Sequence, residues 1–268
     1  MDKQRRALYL SHGGGPLPLL GDESHEEMVS CLQGISKSIE KPSAIILVSA
    51  HWEAAEARVI SDENPGLLYD YGGFPPEAYN IEYPCYGNPK LASLILEQLK
   101  AANIEVATDA KRKFDHGLFV PLKIMYPGAD IPCVQISLIR GLDPKQHIDL
   151  GRALQNVADS SMLLIGSGSS YHNQREIFGP RTDETKNANE SFEEWIKRTC
   201  ADQSISEIER AQKLVNWESV PYARFCHPRE EHLLPLHVCY GYTESACSKS
   251  YGVRILNREM SMHLWDMG

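Results

Sequence analysis

ALYLSHGGGP, residues 7–16, is an apolar run that stops at a histidine and then breaks into three glycines and a proline. Residues 7–11 do not alternate between apolar and polar, which is the pattern of a strand covered on both faces of a parallel or mixed sheet. The design returns in AIILVSAH, residues 44–51, where a second continuous apolar run ends at His51. Between the two, Met28, Val29, Leu32, Ile35 and Ile39 recur at helical intervals, giving strand, helix, strand.

The alternation continues outward. Further strands are expected at 59–60, 105–108, 134–139 and 162–165, and amphipathic helices at 89–102 and 144–158, with a more helical section at 190–200 and 206–217. Strands alternating with helices of this length predict an α/β fold, a central mostly parallel or mixed sheet flanked by helices. At 268 residues, with no internal repeat or linker, the whole of 1–268 reads as one catalytic domain. The stretch 63–89 is rich in Pro, Gly and aromatics, which suits an ordered loop lining something better than a tether.

Composition limits the partners. Hydrophobic residues at 42% and charged residues at 24% are ordinary globular values. A formal charge of -9 repels phosphate backbones and anionic membrane surfaces, so neither nucleic acid nor membrane is expected as a partner. Lys111, Arg112 and Lys113, the densest basic run, read as a solvated loop. The charged start MDKQRR and the short apolar segment after it match neither a secretory signal nor a membrane span, and the expected location is the cytoplasm. Seven cysteines, at 31, 85, 133, 200, 226, 239 and 247, include no CxxC pair, which favours reduced thiols over disulfides or a cysteine-based zinc site.

The histidines carry the chemistry. His12 and His51 each follow an apolar run, and MLLIGSGSSYH places His172 a few residues past another. Parallel strands end on one rim, where the loops that follow are free to bind ligands, so these three rings are expected to converge at the carboxyl edge of the sheet. His227, His232 and His237 are spaced five apart, an awkward helical interval, so one of them supplies the fourth arm. His116, in a His-Gly turn, is a fifth candidate, while His25, His147 and His263 lie in helical or tail contexts and read as structural. Imidazoles without thiolates suit Fe(II), Zn(II), Mn(II) or Cu(II), and softness alone does not choose among them. Three protein ligands with open positions imply catalysis, with a remaining histidine as acid or base.

SHGGGP (11–16), SAHWE (49–53), YGGFPPEAYNIEYP (71–84), FDHG (114–117), MYPGADIPCVQISL (125–138), GSGSSYHNQR (166–175) and EEHLLPL (230–236) resemble, in order and over nearly the whole chain, the class III extradiol ring-cleavage dioxygenases, nearest their 4,5-DOPA branch. The resemblance implies metal ligation by His12, His51 and His232, with His172 beside the metal as a further ligand or as the catalytic base. It implies that His116 contacts substrate or oxygen. It also implies ferrous iron (Fe2+) as the active metal, with zinc (Zn2+) able to occupy the same site, and a small-molecule catechol and O2 as the reactants. Tyr69, Tyr71, Phe74, Tyr79 and Tyr83 are candidates to wall the ring. The chain departs from the family's pattern in SHGGGP, where a shorter His-Gly-Ser/Thr-Pro turn is usual, and in the additional His227 and His237 around EEHLLPL. Two other uses of the same histidines are a zinc hydrolase, with bound water as nucleophile, and a metal-binding protein without turnover.

Overall fold

The computed structural model describes residues 5–157 and 161–266. Eight strands form one mixed sheet: β1 (Arg6–Ser11), β2 (Ile45–Ala54), β3 (Ala57–Ile60), β4 (Val106–Asp109), β5 (Cys133–Ile139), β6 (Leu163–Gly168), β7 (Lys249–Ile255) and β8 (Arg258–Asp266). Their order is β4-β3-β5-β2-β6-β1-β8-β7. The four central strands, β5, β2, β6 and β1, are mutually parallel. β1, β5 and β6 are buried at every position, as central strands covered on both faces are.

The helices are α1 (Glu26–Ser38), α2 (Pro89–Ala101), α3 (His116–Met125), α4 (Pro144–Leu154), α5 (Gln174–Ile177), α6 (Asp183–Ala201), α7 (Glu207–Val215), α8 (Ala223–Cys226) and α9 (Leu234–Thr243). β6 shows how they flank the sheet. Gly166 lies against Pro235 of α9 and Gly168 against the backbone of His232, whereas Ser167 between them donates a hydrogen bond to Gly117 of α3. Successive strand residues point to opposite faces, so α3 and α9 cover opposite sides of the same strand. Helix starts follow local chemistry. Asn88 and Asp143 accept backbone N–H bonds ahead of Pro89 and Pro144, and Thr182 and Thr185 cap α6 reciprocally.

The sheet and its flanking helices agree with the sequence reading, with several corrections. The helix expected over 144–158 stops at Leu154, where Gln155 closes the last turn onto Arg152; Ala158 lies outside the described residues. The segment 190–200 is the second half of the longer α6, and the segment 206–217 ends as helix at Val215 before a single 3₁₀ turn at Trp217–Ser219. β7 and β8 were not anticipated: they form a hairpin that adds to β1 antiparallel, and they place His263 in a strand.

Candidate metal centre

His12 directly follows β1, and its N–H donates to the Gly168 carbonyl at the end of β6. Gly13 has φ +82°, and a Cβ there would come within 2.7 Å of Pro18 and 2.9 Å of His25, so the turn after His12 needs glycine. His25 anchors this turn by accepting the Gly14 N–H at 3.0 Å and donating from Nδ1 to Asp22 at 2.9 Å.

His51 corrects the sequence reading: it lies within β2, not past its end. The pairing with β5 jumps from Ser49 opposite Ser137 to Glu53 opposite Leu138, so Ala50, His51 and Trp52 bulge from the ladder. That bulge swings the His51 ring toward His12. His116 is also corrected: it is the first residue of α3 and sits in no turn. Its backbone N–H and its Nδ1 both donate to Asp70 Oδ1, at 3.0 and 2.8 Å.

His232 stands just before α9, with its carbonyl accepting from Tyr9 Oη at 2.9 Å and from the Ser169 N–H at 3.0 Å. The close approach has a steric condition. A Cβ on Gly168 would lie 2.0 Å from that carbonyl oxygen. His172, four residues past β6, is held by its N–H on the Cys226 carbonyl at 3.0 Å.

These five of the chain's ten histidines form one cluster. Ring centroids are 4.7 Å apart for His12 and His51, 5.2 Å for His12 and His232, and 5.0 Å for His51 and His232. The His116 ring lies 3.9 Å from that of His51, and the His172 ring stacks on His232 at 3.4 Å. His12 Nε2 and His51 Nε2 face each other at 2.9 Å. Of the three spaced histidines only His232 joins. His227 Nε2 donates to the Ser170 carbonyl at 2.7 Å, and His237 Nε2 to that of Leu214 at 2.8 Å, both in the core. His147 and His263 are bound within the core as well.

Three rings of the cluster, those of His12, His51 and His232, are neutral. Burial first, and then the neighbouring imidazoles, push His12 and His232 well below the ordinary histidine range, and burial pushes His51 down to about 3. The outer ring nitrogens are tied. The Ser167 hydroxyl spends its proton on the Gly117 carbonyl at 2.5 Å, so it can only accept from His12 Nδ1 at 3.0 Å, which leaves the Nε2 lone pair of His12 free. Neutral imidazoles whose free lone pairs converge are a donor set that fits a divalent transition metal.

Two carboxylates escaped the sequence reading. Asp70 holds His116 and lies 3.9 Å from His51 Nδ1; Glu231 Oε1 is 3.0 Å from His232 Nδ1 and 3.2 Å from His172 Nδ1. Burial works to raise both carboxyls, but hydrogen bonds from His116 and His172 outweigh it and hold them below the usual range. Asp70 meets His116 from 46 residues away, and Glu231, although it adjoins His232 within EEHLLPL, meets His172 from far along the chain, a pairing that the sequence does not display. A third acid, Asp115, is wholly buried, accepts from Ser49 at 2.8 Å and bonds Gln135, tying β2, β5 and the start of α3 together beneath the rings.

The aromatic loop borders the cluster on the His116 side. The Tyr71 ring is 5.6 Å from His116, and Phe74 packs on Tyr71 at 5.5 Å and on Gly15. Tyr69 and Tyr71 donate their hydroxyls to the carbonyls of Ile81 and Ala78, both at 2.7 Å, which staples the loop and leaves their ring faces as its chemistry. Tyr83 is buried and donates to the Tyr126 carbonyl at 3.1 Å, so it belongs to the core and does not wall the site.

Comparison with known proteins follows the same lines. A match to the family described as the catalytic LigB subunit of aromatic ring-opening dioxygenase spans residues 6–262. Among curated proteins, the chain is 37% identical over 249 residues to dioxygenase tasH of Hapsidospora irregularis, covering 87% of this chain and 76% of that one. It is 34% identical over 244 residues to a 4,5-DOPA dioxygenase extradiol of Beta vulgaris, covering 90% and 87%. A crystal structure of an uncharacterized protein from Escherichia coli K12 superposes with a TM-score of 0.77 at 29% identity, covering 97% of this chain and 99% of that one.

Proposed function

This chain belongs to the family of the catalytic LigB subunit of aromatic ring-opening dioxygenases and is an extradiol ring-opening dioxygenase, and from that premise we propose that it opens a catechol such as DOPA with O2, beside the two hydroxyls, using ferrous iron. One observation supports the site assignment above all. His12 Nε2 and His51 Nε2 face each other at 2.9 Å with the His232 ring centred about equally far from both of theirs.

In this reading His12, His51 and His232 hold the metal. Ferrous iron, when bound, supplies the one-electron chemistry that lets dioxygen react with an electron-rich ring, which zinc in the same site does not. The residues around it do the rest. His172 takes the proton of a catechol hydroxyl at Nε2 and returns it as the ring opens, a task suited to an imidazole. His116, its Nδ1 spent on Asp70, offers Nε2 to the substrate oxygens. Tyr71 and Phe74 present ring faces that hold an aromatic substrate by offset or edge contacts.

Among the described residues no helix is long and apolar enough to cross a membrane. The seven free cysteines suit a reducing compartment, and the reading places one catalytic unit over 1–268 in the cytoplasm.

The test is product identification by mass. The metal-free chain is loaded with ferrous iron without oxygen, then exposed to O2 with a panel of catechols. A product heavier than its substrate by both atoms of O2, with the ring opened beside the diol, supports the reading. No product from any catechol refutes it.

A further inference from the structure

Glu231 has one oxygen, Oε1, within hydrogen-bonding distance of two imidazole nitrogens, Nδ1 of His232 at 3.0 Å and Nδ1 of His172 at 3.2 Å. The two rings are stacked 3.4 Å apart and only 17° from parallel. Its other oxygen, Oε2, has Arg229 Nη1 at 3.5 Å, and Arg229 also pairs with Glu53. The side chain is 13% exposed, so water competes little for Oε1.

We propose that Glu231 is a positioning residue that fixes the tautomer of two rings at once, keeping the proton on Nδ1 of both His232 and His172 and turning both Nε2 lone pairs into the cluster. A carboxylate oxygen accepts and never donates, so each Nδ1 facing it must carry the hydrogen. A neutral imidazole has one N–H, so each Nε2 is then a bare acceptor. Near-parallel rings pivoting on a common oxygen present those two nitrogens side by side. One carboxylate thereby serves two functions assigned to different rings: it makes His232 Nε2 a donor for a metal, and it makes His172 Nε2 the place where a substrate proton arrives. Free histidine in water favours the opposite tautomer, with the proton on Nε2, so this arrangement has to be imposed. A carboxylate behind a ligating histidine is a known way to impose it. Here a single oxygen does so for a pair.

The test reads the tautomers directly in the full-length, metal-free chain. With 15N-labelled histidine, ring 15N–1H correlation spectra distinguish Nδ1–H from Nε2–H, and His172→Asn and His232→Asn identify the two signals. Wild type is expected to show Nδ1–H at both. Glu231→Ala is expected to move both toward Nε2–H and to weaken zinc binding about 10–100-fold, measured against a chromophoric chelator. Glu231→Gln, whose amide oxygen still accepts, is expected to keep the Nδ1–H forms and recover part of that affinity, which a simple loss of packing would not produce. Finding either ring as Nε2–H in wild type overturns the proposal, as does a Glu231→Ala chain with unchanged tautomers and zinc affinity. If Glu231→Ala fails to fold, the wild-type and Glu231→Gln spectra still decide it. Neither catechol nor oxygen enters, so failure here is separate from failure of the dioxygenase reading.

Discussion

His12 Nε2 and His51 Nε2 lie 2.9 Å apart, one just past β1 and the other within β2, two parallel strands that are not sheet neighbours, brought together by a glycine turn at one and a bulge at the other. With the His12 proton held on Nδ1, its bare Nε2 faces the His51 ring, and a divalent cation between them is the partner that both nitrogens can serve as donors. Adding ferrous or zinc ion to the stripped chain at about 100 times its Kd is expected to stabilise the fold by about 2.7 kcal/mol. That is a rise in Tm of a few degrees, read by calorimetry under argon for iron. An unchanged Tm across the titration would contradict a preformed site.

His172 stacks on His232 and shares its carboxylate, yet it lies outside the set of rings centred on the His12 and His51 pair. His172→Ala is expected to retain metal and to lose turnover by ~10²–10⁴-fold, the usual weight of a general base. Metal content by mass spectrometry, set beside kcat, checks this. Loss of metal in the variant would make His172 a ligand.

Gly168 is where the sheet and the loop carrying His232 come closest, leaving 2.0 Å between a would-be Cβ and the His232 carbonyl. Gly168→Ala is expected to cost at least ~1–3 kcal/mol in urea unfolding, since backbone must move to admit a methyl group. Displacing the His232 backbone should weaken metal binding in the same variant. Wild-type stability in Gly168→Ala would show that the strand yields freely.

Glu193 of α6 is buried and accepts from Ser261 Oγ of β8 at 2.7 Å, and burial pushes its carboxyl from 4.5 up to about 7. A folded-state pKa above the unfolded one contributes stability that is complete below about pH 4.5 and is lost as pH rises through about 7. Glutamine is neutral throughout. The stability of Glu193→Gln relative to wild type should therefore improve between pH 5 and pH 8, by up to about 3 kcal/mol at about 1.4 kcal/mol per pH unit. Denaturant titrations at the two pH values test this, and an equal difference at both would refute it. His263, pushed down to about 3 by burial, is common to both chains and cancels.

The centre of the sheet was legible because strands buried on both faces carry continuous apolar runs, as ALYL does in β1, IILV in β2 and LLI in β6. A histidine closing such a run stands out, which is how His12, His51 and His172 could be read together. The edge was not legible: β7 is exposed or half-buried at all positions but Val253 and Ile255 and interleaves Lys249, Tyr251 and Arg254 with other residues, so no period marks it. α3 and α9 were missed for the opposite reason. HGLFVPLKIM and LPLHVCYGYT are apolar on every side, each with a proline, and show no helical stripe. Asp70 gains its meaning from His116, far along the chain, and Glu231 gains half of its own from His172, equally remote, although its other partner, His232, is the next residue. The bulge at His51 depends on pairing with β5, which the sequence of β2 alone does not specify.

The central claim is that the imidazoles of His12, His51 and His232 together hold one divalent ion. Anaerobic titration of the stripped chain with ferrous iron, followed by equilibrium dialysis and metal analysis, tests it most directly alongside His12→Ala, His51→Ala and His232→Ala. The expected result is one ion per wild-type chain and a large loss of affinity in each variant, with all three folded by circular dichroism. A triple variant that still binds one ferrous ion with wild-type affinity would contradict it.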